Sequence, residues 1–177
     1  MLTKNFYSVM RVQLSKKKTA ARFISVLGKI FDVYPQNAVF PFEAMKSAGE
    51  SIQTEETQTN SMTGVRFGSD DTPPTANDYK LGSQITSGLS FTNPAEITYT
   101  LSNTCSEYAA TYGVTNMSEE TIVIKEIGLF SQPSTTVIGG SKTGYIAALV
   151  DRTVLDAPVT IPAGQSKQIT YTIRFNY

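Results

Sequence analysis

The sequence predicts a mainly-β fold, an antiparallel β-sandwich preceded by a basic N-terminal arm that contains one α-helix. Three features predict it. Apolar and polar residues alternate with a period of two in several segments of the C-terminal two-thirds of the chain. Loops rich in glycine and proline separate these segments. The 177 residues include 23 threonines and 17 serines, and these residue types favour strands and turns.

Three regions are expected along the chain. Residues 1–35 form the basic arm, residues 36–63 form a connector or exposed excursion, and residues 64–177 form the sandwich domain. The connector is polar and contains Pro41 and Gly49, which is typical of a linking segment. Within the sandwich, alternation predicts strands near residues 65–67, 96–101, 121–127, 145–155 and 168–175.

The arm is distinguished by its charge. The first 32 residues carry seven cations and one anion, whereas the remainder carries eight cations and fourteen anions, so a neutral total conceals a basic arm and an acidic body. Apolar residues spaced by three and four predict an amphipathic helix over residues 19–31, ended by Tyr34-Pro35. Its apolar face could pack on its own domain, on another subunit or on a membrane surface.

Docking on another subunit would place the basic arm of one copy on the acidic body of the next. We call the residues that would make this contact the docking-arm set. It consists of Lys16, Lys17, Lys18, Arg22, Phe23, Leu27, Lys29 and Ile30.

Composition excludes most simple enzyme chemistries. Histidine is absent, which removes Ser-His-Asp and Cys-His catalysis and histidine-ligated zinc. Cys105 is the only cysteine, so no disulfide or thiolate cluster can form within the chain. We therefore expect no enzyme activity, no cofactor and no metal. The acids of residues 70–78 flank a proline turn, and their spacing favours turn chemistry over a calcium loop.

Partners are also limited by the sequence. A net charge of zero argues against specific binding of nucleic acid. No run approaches the roughly 20 apolar residues that cross a bilayer, and no signal peptide is recognised at the start. The chain is expected to be made in the cytosol without a membrane span.

Two ionisable residues interrupt apolar strands. Glu126 lies in the predicted strand before Gly128, and Arg152 lies in the next predicted strand along the chain. A charge in such a position is costly to bury unless it is paired. We predict a structural ion pair between Glu126 and Arg152 on neighbouring strands, with solvent exposure of both side chains as the alternative.

Three stretches resemble segments of β-rich structural proteins of tailed bacteriophages. They are GVRFGSDDTPP at 64–74 with DYKL at 78–81, TNMS at 115–118 with IVIKEIGLF at 122–130, and DRTVLDAPVTIPAG at 151–164 with YTIRF at 171–175. The resemblance covers nearly two-thirds of the chain and not the basic arm. The chain departs from the pattern at Phe67 and Ser69, where glycine and threonine are usual.

The resemblance implies a non-enzymatic component of the virion, made in the host cytoplasm. It would assemble as a homo-oligomer and with other virion proteins, as a tail or neck component, a capsid-decorating protein or the base of a fibre. The competing function is a receptor- or glycan-binding sandwich of a fibre or tail tip. That function needs exposed aromatic residues, for which Tyr108, Tyr112 and Tyr145 are the candidates.

Overall fold

A computed structural model describes residues 1–14, 21–38, 41–52, 63–137 and 143–176, and the structural statements below concern these residues. It contains two helices and eleven strands, which are α1 (Lys4–Leu14), β1 (Ala21–Ile24), β2 (Ile30–Ala38), α2 (Pro41–Ala44), β3 (Gly64–Gly68), β4 (Leu89–Thr92), β5 (Thr98–Leu101), β6 (Cys105–Asn116), β7 (Ile122–Ser131), β8 (Pro133–Val137), β9 (Thr143–Tyr145), β10 (Ala148–Ile161) and β11 (Ser166–Asn176).

The strands form three antiparallel sheets. Sheet I has the order β10-β7-β3, and sheet II has the order β11-β6-β4, with β5 also paired to β6. Sheet III has the order β1-β2-β8-β9. The mainly-β class and the antiparallel sheets predicted from the sequence are confirmed.

Sheets I and II face each other across a hydrophobic core. Phe67 of β3 stacks on Phe91 of β4 with ring centroids 5.6 Å apart, and its edge meets Tyr112 of β6 at 6.4 Å. Alternation explains this layer, since Ile169, Tyr171 and Ile173 of β11 are buried while the residues between them are exposed.

The central strand of sheet II, β6, was not among the predicted strands. It pairs with β11 over eleven residues on one side and with β4 and β5 on the other. A period-two signal was available, because Ala110, Tyr112 and Val114 are buried and Thr111 between them is exposed. The predicted strand over residues 145–155 is instead divided between β9 and β10, and β10 continues to Ile161.

The helix predicted over residues 19–31 is wrong. The described part of this segment forms a hairpin of β1 and β2, in which Phe23 pairs with Phe31. Residues 25–29 make the turn, where the Ser25 N–H donates to the Lys29 carbonyl at 2.9 Å and the Gly28 N–H donates to the Ser25 carbonyl at 2.8 Å. Gly28 adopts a φ of 77°, which glycine tolerates and which interrupts a right-handed helix.

The helix near the N-terminus is α1, and it packs on the sandwich instead of projecting from it. Phe6 and Val9 are buried in the same core cluster as residues of sheets I and II, and the Phe6 ring lies 6.0 Å from that of Phe175. The Thr3 hydroxyl donates to the Leu149 carbonyl at 2.6 Å. Residues 1–35 are therefore not an arm separate from the body where the structure describes them.

Side chains of α1 also complete the edge of the hairpin. The Asn5 side-chain amide donates to the Ile24 carbonyl at 2.7 Å and its oxygen accepts the Ile24 N–H at 2.8 Å. The Ser8 hydroxyl donates to the Arg22 carbonyl at 2.6 Å. Backbone groups on the edge of β1 therefore bind side chains of α1, and they need no further strand as a partner.

Candidate functional site

The Arg152 guanidinium is held by three carboxylates. Its Nε donates to Glu126 Oε2 at 2.7 Å, its Nη1 to Asp78 Oδ2 at 2.9 Å, and its Nη2 to Asp70 Oδ2 at 2.7 Å. The structure thus places the two members of the predicted ion pair in direct contact and adds two further acids. We call these four residues the Arg152 clasp.

Sheet I sets the position of the first two members. Arg152 of β10 lies opposite Gly128 of β7, and Glu126 lies two residues before Gly128 on the same face. This face points away from sheet II and is covered by the loop of residues 69–82. Gly68 of β3 lies opposite Glu126 on the other side.

The proline-containing loop brings in the other two acids. The Asp78 carboxylate accepts the Thr75 N–H at 3.0 Å and the Thr75 hydroxyl at 2.7 Å, and Asp70 accepts the Thr72 hydroxyl at 3.1 Å. The turn chemistry predicted for these acids is therefore present, and the same carboxylates reach Arg152. Asp71 instead pairs with Lys125 of β7 at 2.7 Å.

Both members of the central pair are buried. Glu126 is 0% exposed and Arg152 is 3% exposed. Glu126 also accepts the backbone N–H of Gly82 at 3.1 Å and of Ser83 at 2.8 Å. A buried carboxylate with three donors is well satisfied, so the clasp fastens the loop to the sheet.

The surroundings of Arg152 and Asp78 favour the charged forms of these two residues. Burial acts to lower the pKa of Arg152, but hydrogen bonds and attraction from Glu126 and Asp78 outweigh it and raise the pKa. Burial acts to raise the pKa of Asp78, but hydrogen bonds from Thr75 and the pairing with Arg152 hold that pKa below its ordinary value. Each of the three acids accepts a hydrogen bond from the Arg152 guanidinium.

Two glycines allow this close packing. A Cβ at Gly82 would overlap the Asp70 carboxylate, and a Cβ at Gly68 would overlap the Glu126 carboxylate and lie 2.7 Å from the Ser83 carbonyl oxygen. A larger residue at either position would therefore displace a carboxylate that binds Arg152.

A second cluster of buried polar contacts lies around Asn116 at the end of β6. Its buried side-chain amide donates to the Ile161 carbonyl at 2.9 Å and to the Glu120 carbonyl at 2.7 Å. Its oxygen accepts the Ser118 N–H at 2.9 Å and the Ser118 hydroxyl at 2.7 Å. Asn116 thus ties the end of β10 in sheet I to the end of β6 in sheet II.

A third buried polar contact joins the sheets directly. The Tyr171 hydroxyl of β11 donates to Asp151 Oδ2 of β10 at 2.6 Å, and the Met1 ammonium lies 3.0 Å from the other Asp151 oxygen. Burial and the nearby Asp151 carboxylate raise the pKa of Tyr171 well above its ordinary value. Burial likewise raises the pKa of Tyr112, whose hydroxyl donates to the Met45 carbonyl.

A cavity of about 200 Å³ lies beside the clasp. Arg66 and Lys80 contribute its cationic lining, while Leu81 and Phe130 are among its apolar lining residues. Burial lowers the pKa of Arg66 to about 10, and its guanidinium donates to the Val65 carbonyl at 3.0 Å. Among the described residues no group of three or more acids, cysteines or histidines is placed to hold a metal ion.

The members of the docking-arm set that the structure describes do not all lie on an exposed surface. Lys16, Lys17 and Lys18 lie outside the described residues. Phe23 is fully buried in the core of its own chain, so it is not available to a partner. Arg22, Leu27, Lys29 and Ile30 are exposed on the hairpin rather than on a helix.

Sequence reasoning missed the partners that lie far away in the chain. The sequence pattern predicts only turn contacts for Asp70 and Asp78, although Arg152 among apolar residues and the distant group of acids at residues 70–78 are signals for a contact between them. Asn116 was noted only as part of a resembling segment, and Asp151 was not singled out.

Comparison of the chain with protein-family models, with curated proteins and with solved structures gives no match. None of the helices described here has the length and apolar character needed to cross a membrane.

Proposed function

We propose that the chain is a non-enzymatic structural component of a tailed-bacteriophage particle, made in the host cytoplasm and incorporated into the virion. It would assemble through contacts with copies of itself and with other virion proteins, at the tail or neck, the head surface or the base of a fibre.

The proposal rests on one observation: the buried polar residues of the resembling segments bind one another or the backbone of their own fold. Arg152 and Glu126 come from two of these segments and Asp70 and Asp78 from the third, and the four bind one another. Asn116, in the TNMS stretch, binds backbone groups of its own fold. An active site keeps nucleophiles, acids or bases directed at a substrate, whereas these groups are consumed in fastening loops to sheets.

The fold also suits a building block. A sandwich whose loops are bonded to its strands presents strand edges and faces of fixed geometry, on which repeated contacts between subunits can be built.

The direct test is to locate the chain in purified particles. An antibody raised against it should label tailed particles at a constant position in immunogold electron microscopy. Mass spectrometry of gradient-purified particles should find several copies per virion, with the major capsid protein as positive control and a replication enzyme of the same phage as negative control. Recovery of the chain only from the soluble fraction of the lysate would contradict the proposal.

One observation favours the alternative, recognition of a glycan or receptor. Tyr112 is buried and so cannot serve, but Tyr99 of β5 is 53% exposed and its ring lies 4.8 Å from that of Tyr108. Aromatic faces of this kind can contact ligands. Binding to host polysaccharide that is lost in Tyr99→Ala and kept in Tyr7→Ala, an exposed tyrosine of α1, would support recognition.

A further inference from the structure

β11 is a long and regular edge strand. It pairs with β6 from Ser166↔Thr115 to Asn176↔Cys105 without a register shift. No other strand of the described chain pairs with its outer side. Along that side, alternate residues direct backbone N–H and C=O groups away from the sheet, which makes the strand a template for a further strand.

The other edges are protected in ways that β11 is not. β10 carries a register shift between Val154 and Val159, contains Pro158, and forms a bridge from Asp151 to Leu2. β3 is five residues long and is bridged at Val65 to Ala48. β1, β4, β5 and β9 have only three or four residues each. Short strands, bulges and prolines are devices that block edge pairing, and β11 has none of them.

The sequence of β11 is compatible with pairing to itself. Its charged residues, Lys167 and Arg174, lie near the two ends, and residues 168–173 carry no charge. An antiparallel pair that overlaps all eleven residues has its two-fold axis at Tyr171. Thr170 then lies opposite Thr172 of the partner subunit, and Gln168 lies opposite Arg174 of the partner subunit. No like charges face each other, and Thr–Thr pairs are favourable cross-strand neighbours.

We propose that two copies of the chain associate through β11, antiparallel about a two-fold axis at Tyr171, so that sheet II continues across the dimer. This deepens the proposed structural role, on which it rests, by naming one partner and one surface. The contact uses the same strand of both copies, so it closes into a dimer and leaves the remaining surfaces for other virion proteins.

The two exposed threonines allow a charge-based test. Thr170 and Thr172 both lie on the solvent face of β11. The double variant Thr170→Lys/Thr172→Lys would place lysines opposite lysines at both symmetry-related positions, and Thr170→Glu/Thr172→Glu would do the same with glutamates. Each variant alone should dimerise at least about tenfold more weakly, and a mixture of the two should recover association because each lysine then faces a glutamate.

The measurement is sedimentation equilibrium of the full chain over a concentration series. The native chain should reach twice its mass of 19.3 kDa. The matched control is Ala109→Lys/Thr111→Lys, which adds the same charges on β6, opposite Thr172 and Thr170 in the register but one strand away from the proposed contact. It should dimerise like the native chain, and circular dichroism should show that all variants keep their strand content.

A native chain that stays monomeric, or a dimer that both charge variants leave unchanged, would overturn the β11 contact. Self-association through another surface would refute the β11 contact and leave the proposed structural role intact. A chain that dimerises through β11 but is absent from purified particles would refute the structural role and leave the β11 contact intact.

Discussion

The Tyr171 hydroxyl lies 2.6 Å from Asp151 Oδ2, and this hydrogen bond connects the two facing sheets of the sandwich. Both residues are buried, with Asp151 on β10 of sheet I and Tyr171 on β11 of sheet II. Thr153 donates a further hydrogen bond to the same carboxylate oxygen at 3.0 Å. The contact is polar within an apolar core. Removing the Tyr171 hydroxyl therefore takes one donor from the buried Asp151 carboxylate, which lowers the free energy of unfolding.

Tyr171→Phe should therefore lower the free energy of unfolding by about 1.5–3 kcal/mol, because it removes a hydrogen bond to a buried carboxylate. Urea denaturation monitored by circular dichroism measures the change. Tyr112→Phe is the matched control, since its hydroxyl donates to the neutral Met45 carbonyl and should cost only about 0.5–1.5 kcal/mol. Equal losses in both variants would show that the charge of Asp151 contributes nothing.

Alkaline pH should destabilise the protein through the same tyrosine. The pKa of Tyr171 is raised in the folded state, from an ordinary value of 10.0. Above pH 10 the unfolded chain loses the phenolic proton while the folded chain keeps it, so the free energy of unfolding falls as pH rises. Denaturation at pH 9, 10 and 11 should show this fall in the native chain and a shallower one in Tyr171→Phe. Parallel slopes for the two proteins would contradict the prediction.

Arg152→Met should cost about 3–5 kcal/mol, because it leaves Glu126 buried without its cation and removes the partner of Asp70 and Asp78. Arg152→Lys should be intermediate, since one ammonium cannot reproduce the planar fork that meets three carboxylates. Arg174→Met is the control, because the pair between Arg174 and Glu107 is exposed and should matter little. Urea denaturation at neutral pH ranks the three variants, and a small effect of Arg152→Met would refute the structural importance of the clasp.

Acid should weaken the clasp. The pKa of Asp78 is held below its ordinary value of 3.8 in the folded state, so its contribution is present above about pH 4 and is lost as pH falls through the folded pKa. Asp78→Asn should be less stable than the native chain at pH 7 and should lose less stability between pH 5 and pH 2. Unfolding free energies across this range give the comparison, and an unchanged acid slope would be the contrary result.

Gly82→Ala should destabilise the protein by about 1–3 kcal/mol, because the new Cβ would overlap the Asp70 carboxylate and displace it from Arg152. Gly164→Ala isolates the backbone effect, since Gly164 has a φ of 69° and open space around it. It should cost about 1–2 kcal/mol through conformation alone. Hydrogen exchange should then show loosening of residues 69–82 in Gly82→Ala and not in Gly164→Ala.

Several parts of this structure could be predicted from local pattern. The alternation over residues 168–175 predicted β11 and its inward-facing residues, because a strand exposes one face and buries the other. The cost of burying either charge alone led to the hypothesis that Glu126 pairs with Arg152, and the structure decides it against the alternative of solvent exposure. Both inferences need only short-range sequence and a general energetic rule.

The hairpin of β1 and β2 shows where local pattern fails. Apolar residues between Ala20 and Phe31 fit a helical stripe, yet Phe23 and Phe31 also fit a strand pair. Gly28 was a local signal for the turn between the two strands. The strand itself depends on a distant element, because Asn5 and Ser8 of α1 bind backbone groups of β1, and the periodicity did not predict this helix.

Alternation and composition thus predicted a mainly-β antiparallel sandwich, and two charged residues on apolar strands raised the hypothesis of an ion pair between Glu126 and Arg152, with solvent exposure of both as the alternative. The further partners of Arg152, the contact between Tyr171 and Asp151, and the choice of strand over helix near residue 23 were decided by tertiary structure. Each depends on groups that are distant in the chain and meet only after folding, and their hydrogen bonds and burial outweigh the small local preferences of the residues involved.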